Sequence, residues 1–250
     1  ETWQTPKGGG LFGRQSGVGG LCLSLRNRLA IAQDVTAGVN HAHSHGVLHR
    51  DLKSENVIVN FMHIDDPRSA AFGRMSGRSS NGCGRIMVVA KIADFGLADG
   101  VGGTTFSSTS RTGVRGGGTF AYKSPEAFKD QYGTPSEMYS FAIVLWEILT
   151  GKRPWQHNAQ GRPFAEAALM GAVLQGRRPE LPRLPVATLR TDPRLLLISE
   201  LPRCWHHDPK RRPTFAQLGA RLAAAQRQMR PPNQAPGSPS QPRRAKTPPT

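Results

Sequence analysis

Apolar residues return at helical spacing in the segment from Ser24 to Gly46. Polar residues fill most of the positions between them, which is the pattern of a helix with one buried face. Gly46 follows the periodic stretch and predicts where the helix stops. The apolar positions of this stripe are Leu25, Leu29, Ala32, Val35 and Val39.

Four more segments predict helices, so the fold class that we expect is mainly α. Residues 136–151 are apolar nearly all round, as a helix at the centre of a helical domain should be. Short apolar runs at 46–49, 56–60 and 88–92 predict strands beside polar loops, and so a few short β-hairpins. The other three helical segments are 164–176, 193–205 and 214–229.

Three stretches lack periodicity and divide the chain. Residues 1–24 are rich in glycine and irregular. A Ser/Gly/Arg-rich stretch, about 63–85, adds roughly two dozen residues to a connection that needs only a short turn, and its composition predicts a disordered insertion. Residues 229–250 are rich in proline and basic residues and predict a disordered tail. One domain over residues 25–228 remains.

Composition limits the class of protein. Hydrophobic residues make up 37% of the chain, which fits a water-soluble domain, and the longest apolar run, 141–146, is too short to span a bilayer. We find no secretory signal, and Cys22, Cys83 and Cys204 form no CxxC pair. A cytoplasmic protein is expected, and a membrane-attached parent protein is compatible with this. Since the chain begins at Glu1 rather than Met, we expect the true start to lie upstream.

The charge of the chain is strongly positive. Lys and Arg number 33 against 17 Asp and Glu, a net charge of +16. Such an excess is typical of proteins that bind nucleic acid or anionic membranes. Here no acid follows Asp208, so much of the excess lies in the last helix and the tail, and no nucleic-acid-binding motif accompanies it. We expect no specific nucleic-acid partner.

Three histidines precede the first polar loop at intervals of two residues. On a helix this spacing fans His41, His43 and His45 around the axis instead of bringing them together. The pattern therefore favours packing over metal binding.

One loop, HGVLHRDLKSENVIV at residues 45–59, concentrates polar side chains between apolar ends. Its Asp51 and Asn56 have the H-R-D-L-x-x-x-N spacing, in which Asp accepts a proton from a hydroxyl and Asn holds a metal ion. A D-F-G motif begins at Asp94, after a strand, where a carboxylate suits magnesium. An S-P-E motif ending at Glu126 stands where A-P-E would follow.

These three motifs, in this order, resemble the C-terminal lobe of the eukaryotic protein kinase family over residues 25–228. Lys53 and the segments SFAIVLWEILTGKRPW and CWHHDPKRRPTF resemble the tyrosine-kinase-like group of serine/threonine kinases, which includes Raf-like and receptor-like enzymes. The resemblance implies a helical kinase lobe that transfers the γ-phosphoryl group of ATP to Ser and Thr hydroxyls of protein substrates.

The resemblance also implies roles for individual residues. Asp51 would deprotonate the acceptor hydroxyl, and Lys53 would stabilise the transferring phosphoryl group. Asn56 and Asp94 would hold Mg²⁺ on the phosphates of ATP, and Arg50 would pair with a phosphate on the activation segment. Structural roles fall to His49, Phe95, Gly96, Thr119, Glu126, Glu137 and Arg212. Candidate phosphorylation sites are Ser107, Ser108, Thr109, Ser110 and Thr112.

Four of the structural residues have expected partners. Glu126 and Arg212 resemble a buried pair that ties the substrate-binding segment to the end of the lobe, where losing one partner would strand a charge. Thr119 resembles the threonine that bridges that segment to the base. Glu137 stands where an aspartate normally braces the catalytic loop. We expect weaker bracing because the carboxylate of Glu137 reaches one methylene further.

The sequence lacks convincing matches to the elements of a kinase N-terminal lobe. Gly8, Gly10 and Gly13 match G-x-G-x-x-G, but no apolar strand precedes them and Gln15 replaces the usual Val, so we take the match as coincidental. Lys91 imitates the phosphate-pairing lysine on the wrong strand. We therefore expect a truncated enzyme without its N-terminal β lobe, inactive as an isolated chain. The alternative is a catalytically inactive interaction module.

The tail holds a P-x-x-P-x-R pattern formed by Pro239, Pro242 and Arg244, which fits a proline-reading adaptor domain. Ser238 and Thr247 each precede a proline, so a phosphate there would add negative charge near the arginine. Because short proline motifs arise easily in such a composition, an inert solubilising tail is the alternative.

Overall fold

Helices dominate the described part of the chain, as the hydrophobic pattern predicts. The computed structural model describes residues 25–63, 86–95, 99–100, 119–156, 164–181 and 194–228. The expectations about the glycine-rich start, the N-terminal lobe, the insertion beyond His63 and the tail lie outside these residues. None of the described helices combines the length and the apolarity that crossing a bilayer requires.

The elements follow the predicted order. The helices are α1 Leu25–Ser44, α2 Thr134–Thr150, α3 Glu166–Leu174, α4 Arg194–Cys204 and α5 Phe215–Gln228. The strands are β1 Val47–Leu48, β2 Val57–His63, β3 Ile86–Ile92 and β4 Asp99–Gly100. Short 3-10 turns lie at Ser54–Asn56, Thr119–Tyr122, Ala127–Lys129 and Pro209–Arg211.

Helix α2 forms the centre of the core. Every residue from Ser136 to Ile148 is buried, as expected for a helix that is apolar nearly all round. The buried polar residues among them need partners inside the protein, and Glu137 and Glu147 find theirs near the loop that follows β1. Gly151 ends the helix with a φ of 68°, which lets its N–H reach the Glu147 carbonyl at 2.8 Å.

Helix α1 delivers the chain to the polar loop. Gln33 of α1 donates from Nε2 to the Leu222 carbonyl of α5 at 3.1 Å, and this bond joins the first and last helices. The helix ends at Ser44, and Gly46, with a φ of 71°, turns the chain into β1 at the predicted place. The buried positions of the predicted stripe are Leu29, Ala32, Val35 and Val39.

Strands β2 and β3 form an antiparallel hairpin that fixes the ends of two motifs. Asn56 immediately precedes β2 and Asp94 lies two residues after β3, so both stand at the same end of the hairpin. The described strands are longer than the short hairpin that we expected. The register pairs Val57 with Ile92 at this end and His63 with Ile86 at the other.

Strand β4 was not predicted. It consists of Asp99 and Gly100 and pairs antiparallel with β1, opposite Leu48 and Val47 respectively. Two residues show no periodicity, so a pairing of this length depends on the partner strand and leaves no signal in the sequence. The pairing lays the chain that follows the D-F-G motif against β1, which leads into the polar loop that contains Asp51.

Candidate active site

Two residues of the predicted site contact the carboxylate of a third, Asp51. The Lys53 ammonium contacts Oδ2 of Asp51, and the two side chains are 21% and 13% exposed. Asn56 donates from Nδ2 to the Asp51 carbonyl at 2.8 Å and to Oδ2 at 3.3 Å. A half-buried carboxylate fixed by a cation and an amide, yet open to solvent, can accept a proton from an incoming hydroxyl.

A backbone hydrogen bond holds the segment of Asp94 next to Asn56. The Ala93 N–H donates to the Asn56 carbonyl at 2.8 Å, which places Asp94 next to the end of the catalytic loop. Asp94 is exposed and has a φ of 61°, a left-handed conformation that is uncommon for residues other than glycine. The structure thus brings together Asn56 and Asp94, the two predicted metal ligands, at one end of the hairpin.

His49 connects the two motifs. Its ring is buried and donates from Nε2 to the Ala93 carbonyl at 2.9 Å, while Nδ1 accepts from the Asp51 N–H at 3.3 Å. These partners fix the tautomer with the proton on Nε2. Phe95 packs against the same imidazole with ring centroids 4.6 Å apart and keeps 42% of its surface exposed. Gly96 lies outside the described residues.

Glu137 braces the catalytic loop from the core. The Arg50 N–H donates to its Oε1 at 2.7 Å, and the Tyr132 hydroxyl donates to the same oxygen at 3.3 Å. Burial, and to a smaller extent the charge of Glu137, raise the pKa of Tyr132 well above its usual value. The bond to Arg50 has an ordinary length, so the carboxylate of Glu137 reaches the loop, and the weaker bracing expected for the extra methylene stays a prediction.

His43 is a partner of this brace that the sequence reasoning missed. Its Nε2 lies 2.7 Å from Oε2 of the fully buried Glu137, and its ring meets Phe215 edge-on with centroids 5.2 Å apart. The signal was present in the sequence, because His43 follows Val39 by four residues and continues the buried stripe of α1. The sequence pattern by itself predicts packing for all three histidines of this region and does not identify Glu137 as the partner.

Glu126 and Arg212 form a bidentate pair far from the catalytic loop in sequence. Arg212 donates from Nη1 and Nη2 to the two carboxylate oxygens of Glu126 at 2.6 and 2.8 Å. Burial alone would raise the pKa of Glu126, but the hydrogen bonds and charge of Arg212 outweigh it and hold that pKa below its usual value. The guanidinium also donates to the Pro135 carbonyl at 2.8 Å, so the pair ties the S-P-E segment to α2.

A second buried network was not anticipated from the sequence. The Tyr122 hydroxyl donates to Oε2 of Glu147 at 2.9 Å and lies 2.9 Å from the Ser54 hydroxyl. Burial raises the pKa of Glu147 to about 7, although hydrogen bonds from Tyr122 and Ser54 partly offset this effect. Burial and the Glu147 carboxylate likewise raise the pKa of Tyr122. The network joins the catalytic loop, the turn before the S-P-E motif and α2.

Several predicted residues cannot be placed in this geometry. Thr119 begins the turn Thr119–Tyr122, and its side chain is outside the description. The candidate phosphorylation sites between residues 107 and 112 and the glycines of the N-terminal match also lie outside the described residues. Within the described part of the chain, no group of three or more His, Cys, Asp and Glu side chains is arranged to hold a metal ion.

The donor set at the hairpin end nevertheless suits a hard cation. Asn56 and Asp94 offer an amide oxygen and a carboxylate, which are the oxygen ligands that Mg²⁺ prefers. Magnesium usually takes only one or two protein ligands and fills its other positions with water and phosphate oxygens, so a site with few protein ligands fits this ion.

Comparison with known proteins identifies the family. Residues 8–221 match the protein kinase domain family. The serine/threonine-protein kinase STY17 of Arabidopsis thaliana is 31% identical over 195 residues, which are 78% of this chain and 26% of that protein. Receptor-interacting serine/threonine-protein kinase 4 of Mus musculus is 32% identical over 197 residues, which are 76% of this chain and 21% of that protein.

A third relative, the serine/threonine/tyrosine-protein kinase HT1 of Arabidopsis thaliana, is 32% identical over 202 residues, which are 80% of this chain and 40% of that protein. The matched region therefore spans less than half the length of each of these relatives. These matches confirm the recognition made from the three sequence motifs. The chain belongs to the protein kinase family.

Proposed function

We propose that this chain is the catalytic region of a serine/threonine protein kinase. The observation that supports it best is the Asp51 carboxylate, which contacts Lys53 and Asn56 within a loop that is braced by α2. Two of the similar proteins, STY17 and receptor-interacting kinase 4, are named as serine/threonine kinases, which favours the same activity. The substrates of the reaction are ATP and a protein that carries a Ser or Thr hydroxyl.

Asp51 is the base in this proposal. The acceptor hydroxyl gives its proton to Asp51 while its oxygen bonds to the γ-phosphorus of ATP, and the bond from that phosphorus to the bridging oxygen breaks to release ADP. Lys53, in contact with the same carboxylate, supplies positive charge where the transferring group gathers negative charge. The bond from Asn56 to the Asp51 carbonyl keeps the loop in one conformation.

Asn56 and Asp94 are the proposed ligands of a divalent cation, which we take to be Mg²⁺. When bound, the ion would neutralise charge on the phosphates. The hydrogen bond from Ala93 to Asn56 holds the two ligand-bearing segments together without it. The side chain of Asp94 is exposed, so an ion can reach it from solvent.

The remaining assignments are proposals that follow from the family. Arg50 pairs with a phosphate on a residue between 107 and 112, and Thr119 bridges the substrate-binding segment to the base. Lys53 and the similarity to STY17 and receptor-interacting kinase 4 favour Ser and Thr as acceptors. The domain boundaries, 25–228, enclose all the residues named here.

The test measures transfer of the labelled γ-phosphate of ATP to a mixture of substrate proteins. It uses the longest natural polypeptide that contains this chain and, in parallel, the isolated chain. Asp51→Asn should lower turnover by about 10²–10⁴-fold and leave nucleotide binding nearly intact, because the base acts on the acceptor. Asp94→Asn should weaken Mg²⁺-dependent nucleotide binding as well. The isolated chain should be inactive.

Asp130→Asn is the matched control. Asp130 is exposed and left-handed, with a φ of 57°, as Asp94 is, and Asn tolerates this conformation well. The control should keep full activity. Equal losses in all three variants, or phosphotyrosine as the main product, would contradict the proposal.

A further inference from the structure

Two exposed histidines meet at the C-terminal end of α1, outside the candidate active site. His41 and His45 lie four residues apart, and their ring centroids are 4.4 Å apart with an interplanar angle of 53°. His43 is turned away from them, towards Glu137. The expected divergence therefore holds for His43, whereas the other two rings share one side of the helix end.

The ring of His45 is fixed in the tautomer that a metal ligand needs. Its Nδ1 lies 2.9 Å from the His41 carbonyl oxygen, which only accepts hydrogen bonds, so Nδ1 carries the proton. The Ser44 hydroxyl donates to the same carbonyl at 2.7 Å, which anchors the turn. The lone pair of His45 is then on Nε2. Histidines that bind metals show this arrangement, with the second ring nitrogen bonded to a carbonyl or carboxylate.

Spacing and charge also favour a cation at this place. Two histidines at i and i+4 can ligate one ion, as they do in helical zinc sites. The carbonyl end of a helix carries partial negative charge. Both histidines are exposed, so the ion would keep water in its remaining positions. We propose that His41 and His45 form a two-histidine site for a divalent transition-metal ion of the zinc, nickel and copper class.

This site is separate in chemistry from the Asn56 and Asp94 pair. Imidazole nitrogen prefers transition ions, whereas carboxylate and amide oxygens prefer magnesium. An excess of Mg²⁺ would therefore occupy the oxygen ligands and leave the two histidines available. This difference allows the proposal to be tested in the same protein independently of kinase activity.

The experiment is a calorimetric titration of the full chain with Ni²⁺, and separately with Zn²⁺, in excess Mg²⁺. The unaltered protein should bind an ion at this site with a stoichiometry of one per chain. His41→Gln and His45→Gln should each weaken that binding by about tenfold or more, because one imidazole cannot chelate. His207→Gln, which removes an exposed histidine elsewhere, is the matched control and should leave the affinity unchanged.

A second measurement keeps the result interpretable. Far-ultraviolet circular dichroism should show that all variants are folded, and sedimentation should show that the metal-bound chain has the same mass as the metal-free chain. Unchanged affinity in His41→Gln or His45→Gln, relative to the unaltered protein, or an equal loss in the control, would overturn the proposal. So would a dimer with one ion for two chains, since the proposed chelate forms within one chain.

Discussion

Arg50 and Asp94 share a backbone conformation that side-chain-bearing residues avoid. Their φ angles are 67° and 61°, and they are two of the four non-glycine residues with positive φ in the described part of the chain. Such a conformation costs about 1–3 kcal/mol and persists where the surroundings hold it. The hydrogen bond from the Arg50 N–H to Glu137 holds this conformation at Arg50. The hydrogen bond from the Ala93 N–H to the Asn56 carbonyl restrains the residue before Asp94.

Replacing the brace tests this account. Glu137→Ala should lower the free energy of unfolding by about 1–3 kcal/mol, because the part-buried Arg50 N–H and the Tyr132 hydroxyl lose a charged acceptor. Turnover should also fall, since the catalytic loop is no longer held. Urea denaturation measures the stability, and the phosphoryl-transfer assay measures the turnover.

Glu137→Gln provides the comparison. The amide oxygen of Gln has the same reach and can accept from Arg50, while its charge is lost and its amide nitrogen replaces an acceptor near His43. It should therefore keep more stability and turnover than the Ala variant. If Glu137→Ala unfolds at the same urea concentration as the unaltered protein, the brace has no energetic role.

The network of Ser54, Tyr122 and Glu147 connects three elements that are distant in the sequence. A shift of α2, of the turn at Tyr122 or of the catalytic loop would break one of its two hydrogen bonds. Glu147 is only 2% exposed, so the charge of its carboxylate is poorly solvated in the folded protein. The protonation of Glu147 therefore couples to the packing of these elements.

This coupling predicts an inverted pH dependence. Burial raises the pKa of Glu147 from 4.5 to about 7, so between these values the folded protein holds a proton that the unfolded chain has lost. Stability should fall as the pH rises through this range, by about 3 kcal/mol in total from this group, and then level off. Glu147→Gln should remove this part of the slope, because Gln does not titrate.

Urea denaturation of both proteins between pH 4.5 and 8 measures the difference. Glu126 works in the opposite direction, since its lowered pKa adds stability above its unfolded value that is lost only at lower pH. Subtracting the curve of the Gln variant removes that contribution from the comparison. A difference between the two curves that does not change with pH would show that Glu147 titrates normally.

Helices with strong periodicity could be predicted from the sequence, and contacts between distant segments could not. The stripe of α1 and the apolar surface of α2 fix which faces are buried, and Gly46 and Gly151 mark the helix ends through their positive φ. The bond from His43 to Glu137 depends on how two helices meet in space. A sequence pattern records burial along one element but not the identity of the partner across the core.

The hairpin allows a prediction about the chain as a single folding unit. Because His63 pairs directly with Ile86, a two-residue Asn-Gly turn can replace residues 64–85 without changing the register. We expect the replacement to raise the free energy of unfolding by about 2 kcal/mol, from the smaller entropy cost of closing a shorter loop. Urea denaturation measures this change.

A Gly/Ser segment of the same length as residues 64–85 is the control. It keeps the loop length but discards the sequence, so its stability should equal that of the unaltered protein. Lower stability in both variants would show that side chains of this segment pack on the lobe, against our expectation of an insertion that contributes no core.

Strand β2 is seven residues long, and we expect its two ends to differ in their tolerance to substitutions and insertions. At about 3.3 Å per residue, Asn56 stands about 23 Å along the strand from the point where the chain leaves at His63. Substitutions near Asn56 disturb the chemistry, whereas length changes beyond His63 act far from it. A reporter domain attached beyond His63 should therefore leave the proposed phosphoryl transfer unaltered.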